Sequence, residues 1–169
     1  AFIMEPISCN LAVMIPEDAF MKRAQQLCRR YGTLFIADEV ACGFGRTGNL
    51  FGSQTFNLEP DMITVAKALS AGYLPISATM VSNALYDILL AQSDKLGIFG
   101  HGYTYSSHPV PAAVALETLK IYAERDIVGA VRRLGLPGRA SRVRRPRVGD
   151  RGRRCPALEA RPRGDWGMA

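Results

Sequence analysis

The chain holds 169 residues, 48% of them hydrophobic, with a formal net charge of +6, enough for one ordinary domain with a buried core. No apolar run approaches the roughly 20 residues that a helix needs to span a bilayer, so no membrane-spanning helix is expected. The chain opens on Ala1 inside the apolar run Phe2-Ile3-Met4 with no charged segment ahead of it, so no signal peptide is visible and the true start is expected upstream.

Phe2–Met4 reads as the end of a short strand. Pro16-Glu17-Asp18 then opens a helix, because proline suits a first turn and acids there complement the helix dipole. Phe20, Ala24, Leu27, Cys28 and Tyr31 fall on one predicted apolar stripe, and Gly32 ends the helix. Leu34-Phe35-Ile36-Ala37 is a continuous apolar run, as in a strand covered on both faces, and Met62–Ala66 and Ile76–Val81 read alike. A helix is predicted over Asn83–Ala91. Another, capped by Ser107, is predicted from Pro109 to about Glu124 with Ala112, Ala115, Leu116, Leu119 and Tyr122 inward. The order β-α-β-β-β-α-α predicts an α/β fold, a mostly parallel sheet packed between helices.

The positive charge is not spread evenly. From Arg132 to Ala169 twelve arginines face three acids, a balance of +9, which leaves −3 for the first 131 residues. The segment 129–169 is rich in Arg, Gly and Pro, lacks apolar periodicity, and carries Pro137, Pro146, Pro156 and Pro162. Such a segment is expected to be disordered, or to arise from a shifted reading frame. As a basic arm it could contact nucleic acid, but no aromatic residues are interleaved and no RGG repeat occurs, which argues against that partner. Residues 1–128 form the expected folded part.

Cys9, Cys28, Cys42 and Cys155 show no Cys-x-x-Cys pairing, and the two histidines are not at zinc spacing, so no metal site is expected. The thiols read as reduced, in a cytoplasmic protein, or simply as small apolar core residues.

In open α/β sheets ligands gather beyond the carboxyl ends of strands. Asp38 and Lys67 each follow such a run. Lys67 is the one charged residue between Asp61 and Asp87. An ammonium held there would be partly desolvated, which frees the amine as a nucleophile; the alternative is a lysine that snorkels to the surface. Asp38 could orient a cationic group or cap a turn, and with Glu39 beside it one of the two is expected to face solvent. Gly43-Phe44-Gly45-Arg46-Thr47-Gly48 matches the G-x-G-x-x-G pattern of nicotinamide-dinucleotide sites. No amphipathic helix follows, however, and Asp61 precedes its strand, so a tight loop near an active site is the preferred reading. His101–Pro109 is dense in hydroxyls and imidazoles before a helix, which suits an anion such as phosphate or a plain hydrogen-bonded cap.

The run Leu34–Val40, then Gly43–Gly48, then Pro60–Leu69 closely resembles the class-III aminotransferases among the fold-type-I pyridoxal-phosphate enzymes. The resemblance extends from about residue 1 to 128. It implies pyridoxal 5′-phosphate as cofactor, carried by Lys67 as a Schiff base, with Asp38 on the pyridine nitrogen and Val40 against a ring face. It also implies a homodimer in which Thr104 of one subunit binds the cofactor phosphate of the other, and Glu5 in Met4-Glu5-Pro6 near the substrate. The implied activity is transamination in two half-reactions, from an ω-amino acid or primary amine to a keto acid such as pyruvate, because the wording around His101–Tyr122 is similar to the amine:pyruvate branch. Residues 7–12 lack the glycines usual for the family, and the family's phosphate-binding turn, ring-stacking aromatic and small domain are absent. The chain by itself is therefore expected to be weakly active or inactive.

Overall fold

Phe2–Met4 (β1), Phe35–Asp38 (β2) and Met62–Val65 (β3) are strands of three or four residues, and Ala78–Val81 (β4) completes a four-stranded sheet in the order β1-β2-β3-β4. The computed structural model describes residues 1–135. β1, β2 and β3 run parallel, with Ile3 opposite Ile36 and Ala37 opposite Ile63, while β4 runs antiparallel to β3, with Met80 opposite Ile63. The α/β class follows from this, and each parallel connection carries a helix, as parallel strands require.

Asp18–Arg30 (α1) begins with Asp18 and ends with Arg29 and Arg30, charges that complement the dipole at each end. Its buried residues are Met21 and Cys28, which pack with Phe35 of β2, Leu58, Phe2, Met4 and Phe56. The predicted stripe is off by a turn's edge. Phe20, Leu27 and Tyr31 are exposed, because the helix meets β2 along the Met21–Cys28 line instead. A second cluster joins Val65, Leu69 and Ala115 with Phe44, Phe51, Ile63 and Ile76.

The helices that follow are Gly52–Thr55 (α2), Asn83–Leu96 (α3), Pro109–Glu124 (α4) and Ile127–Leu134 (α5). The bounds of α4 match the sequence reading, but its inner face differs. Leu116 and Leu119 are exposed, whereas Thr118 is buried and donates to the Val114 carbonyl at 2.8 Å. A threonine can sit there because its hydroxyl is satisfied within its own helix. The predicted cap also shifts by one residue: His108 Nδ1 accepts the Val110 N–H at 3.2 Å, and Ser107 stands in the left-handed region at φ 59°.

Two expectations are corrected here. Ala78, Thr79 and Met80 of β4 are exposed, so this run is not covered on both faces by any described element. The boundary expected at residue 128 falls inside α5, so residues 129–134 are helical. Two of the arginines assigned to a basic arm are used inside the fold. Arg132 donates to the Gly48 carbonyl and, at 2.8 Å, to Asn49, and Arg133 pairs with Asp126 at 2.9 Å. The rest of the expected tail lies outside the described residues.

Candidate active site

Parallel strands send their carboxyl ends to one edge of the sheet, and the three singled-out charged residues follow from that rule. Glu5 comes directly after β1, Asp38 is the last residue of β2, and Lys67 stands two residues beyond β3. Asp38 lies opposite Thr64, and the N–H of the next residue, Glu39, donates to the Thr64 carbonyl at 2.9 Å. Asp38 Oδ1 accepts the Val40 N–H at 3.0 Å, which fixes the carboxylate against the turn that carries Val40. Glu5 Oε2 accepts the Cys9 N–H at 3.3 Å.

Lys67 has φ 43°, a left-handed conformation that a residue with a Cβ adopts only under strain. It starts a 3-10 turn over Lys67–Ser70 whose Leu69 is buried against α4. Tyr122 of α4 donates its hydroxyl to the Ala68 carbonyl at 2.7 Å, and so clamps the residue after the lysine. The side chain is exposed. The expected desolvation is therefore not present, because the neutral stretch around Lys67 is partly turned outward at β4 and is not a uniform core. Lys67 borders a cleft of about 890 Å³ together with Ser70, Ile76, Tyr103, Ser107 and His108, among others, while Asp38 and Glu5 are not part of its lining. Thr104 is exposed and lies outside the lining of its own chain's cleft, while its neighbours Tyr103 and Tyr105 belong to it.

Glu39 is the residue that the sequence reading underweighted. It is fully buried, not solvent-facing, and its two carboxylate oxygens accept the N–H groups of Gly52 at 2.8 Å and Ser53 at 2.6 Å, at the start of α2. Its carbonyl accepts the Gly43 N–H at 2.8 Å. The sequence carried no signal for this, because the two donors lie thirteen and fourteen residues on, in a stretch that reads as a loop.

The glycine loop is shaped for helix packing. Gly45 (φ 96°) and Gly48 (φ 84°) leave room for α5: a Cβ on them would come within 3.2 Å of Val128 and 3.1 Å of Arg132. α5 covers this loop with its side chains, and the helix after the loop, α2, has four residues. A dinucleotide site needs a longer helix whose N-terminus faces the phosphates, so the dinucleotide reading is dropped. Residues 7–14, which lack the family's glycines, show the backbone consequence: Ala12 and Val13 sit at φ 56° and 60°.

The aminotransferase class-III family model matches residues 1–137. The chain belongs to the class-III aminotransferases. Among its relatives, "Gamma aminobutyrate transaminase 3, chloroplastic" of Solanum lycopersicum is 52% identical over 134 residues, 79% of this chain and 26% of that protein. "Gamma aminobutyrate transaminase 1, mitochondrial" of the same plant is 50% identical, again over 79% of this chain and 26% of that protein. A solved ω-transaminase from Pseudomonas jessenii, in complex with PMP, superposes with a TM-score of 0.74 at 47% identity, covering 76% of this chain and 28% of that one. The chain thus spans little more than a quarter of the length of these class-III relatives. Their names also correct the cytoplasmic expectation, because they place the relatives in chloroplasts or mitochondria.

Proposed function

We propose that this chain carries the lysine-bearing part of a pyridoxal-phosphate-dependent transaminase active site, with Lys67 as the Schiff-base lysine. The observation that carries the reading is the placement of Glu5, Asp38 and Lys67 at or just past the ends of three adjacent parallel strands, with Lys67, though neither Glu5 nor Asp38, lining a cleft of about 890 Å³. That volume falls within the range of cofactor pockets, and an amine, a carboxylate and a hydroxyl-rich helix entry are the donor types that pyridoxal phosphate requires.

Bound there, the cofactor would supply an electron sink for the electron pair left when a proton departs from the amine-bearing carbon. Asp38 would hold a proton on the ring nitrogen, which would keep that sink effective. Lys67 would hold the cofactor, and its amine would serve as the base and acid that moves the proton of the substrate carbon. Val40 would pack against a ring face, Glu5 would stand near the substrate, and Thr104 would bind the phosphate held by a neighbouring subunit in a homodimer. The amino donor is an ω-amino acid or primary amine and the acceptor a keto acid such as pyruvate. Relatives named for γ-aminobutyrate, and a structural neighbour named an ω-transaminase, support that branch. The chain alone has a cleft with Lys67 exposed to water, so weak or absent turnover is part of the proposal.

The test is covalent trapping. Purified chain is incubated with pyridoxal phosphate, reduced with borohydride and mapped by mass spectrometry. The adduct is expected on Lys67 and on neither Lys22, Lys95 nor Lys120, with no specific adduct in Lys67→Ala. Equal labelling of all four lysines would overturn the assignment. Rapid turnover of amine and pyruvate by the isolated chain would overturn the claim of weak activity.

A further inference from the structure

Two thiols that the proposed reaction does not use lie on neighbouring segments beside the Asp38 strand end. The Cys42 side chain is 1% exposed, and its Sγ donates to the Ile7 carbonyl at 3.3 Å. Two residues beyond Ile7, Cys9 opens the 3-10 turn Cys9–Leu11. Cys42 Sγ therefore lies against the backbone of the segment that carries Cys9, two residues from it in the chain. Cys9 is half-buried and reachable from solvent, whereas Cys42 is not. The segment that carries Cys9 is also strained. Ala12 and Val13 occupy the left-handed region, where a β-branched residue is a real outlier. Residues 10–15 are exposed, and a segment with few buried contacts opens locally at low cost, which gives Cys9 room to adjust toward disulfide geometry.

We propose that Cys9 and Cys42 are an oxidation site of this chain, closing to a disulfide when a peroxide is present and tying residues 7–14 to the glycine loop. The Cys9 thiolate attacks one peroxide oxygen, the O–O bond breaks, and Cys9 becomes a sulfenic acid as hydroxide leaves. The Cys42 sulfur then attacks the Cys9 sulfur, an S–S bond forms, and the S–O bond breaks. The departing oxygen and the thiol protons leave as water. In total two thiols lose two electrons and one peroxide becomes two waters.

The order of the steps follows from burial. Burial, partly offset by the hydrogen bond to Ile7, pushes the Cys42 thiol up to about 12. Below that value its thiolate fraction, and with it the closing step, rises about tenfold per pH unit.

The experiment treats the full chain with hydrogen peroxide, blocks remaining thiols, and maps tryptic peptides by mass spectrometry. The expected product joins residues 1–22 to residues 31–46, forms roughly tenfold faster per unit of pH in the neutral to mildly alkaline range, and reverts with dithiothreitol. In Cys42→Ala, Cys9 is expected to accumulate as a sulfenic acid that dimedone traps. In Cys9→Ala, which leaves the buried position intact, Cys42 is expected to stay reduced. A cross-link from Cys9 to Cys28 or Cys155 in the unmodified sequence would overturn the proposal. So would oxidation of Cys9 to sulfinic acid with no cross-link, or a closing rate independent of pH.

Discussion

Glu39 offers the sharpest test of how this fold holds its edge together. Its carboxylate is fully buried and accepts two backbone N–H groups, from Gly52 and Ser53, at 2.8 and 2.6 Å. Hydrogen bonds to a charged group contribute about 1.5–3 kcal/mol each, and a buried donor left without a partner costs its desolvation as well. Glu39→Ala strands both donors, so a loss of about 3–5 kcal/mol is expected, a large share of the 5–15 kcal/mol that typical domains possess. Glu39→Gln keeps one acceptor and turns an amide N–H toward the second donor, so a smaller loss of about 1.5–3 kcal/mol is expected. Urea unfolding followed by circular dichroism measures both, and hydrogen exchange at Gly52 and Ser53 should speed up before global unfolding. Equal stability of Glu39→Gln and the unmodified chain, or a loss below about 1 kcal/mol for Glu39→Ala, would refute the reasoning. It would mean that α2 is held by packing of Phe51 and Phe56, with the carboxylate only a passenger.

Gly48→Ala should cost about 1–2 kcal/mol, because the residue sits at φ 84° and its new Cβ would come within 3.1 Å of Arg132. Faster hydrogen exchange across Ile127–Leu134 would report the undocking of α5, and unchanged protection there would count against the packing role of the loop. Lys67→Gly relieves a left-handed conformation (φ 43°) and should raise stability by about 1 kcal/mol while abolishing pyridoxal-phosphate trapping. A stability decrease, read from thermal unfolding, would show that the turn over Lys67–Ser70 is unstrained.

The residue types and their order along the chain determined a great deal. Apolar runs ending in Asp38 and near Lys67, separated by helical periodicity, pointed to an α/β sheet whose carboxyl ends carry the candidate site residues, since that geometry depends on local pattern and on the handedness of parallel connections. The bounds of α4 were legible because Pro109 can start a helix and little inside it can stop one. Only the tertiary structure decided which face of each helix is buried. Met21 replaces Phe20, and Thr118 replaces Leu119, because the neighbouring strand or turn, and not hydrophobicity alone, fixes the contact line. Burial of Glu39 and exposure of Lys67 also lay beyond the sequence. A charge can be buried where a distant segment, here Gly52–Ser53, supplies backbone donors. A lysine in a neutral stretch can face water where the strand beside it has no described cover. Likewise the glycines of Gly43–Gly48 read in sequence as a tight loop, and only the three-dimensional neighbour shows that their missing side chains make room for α5.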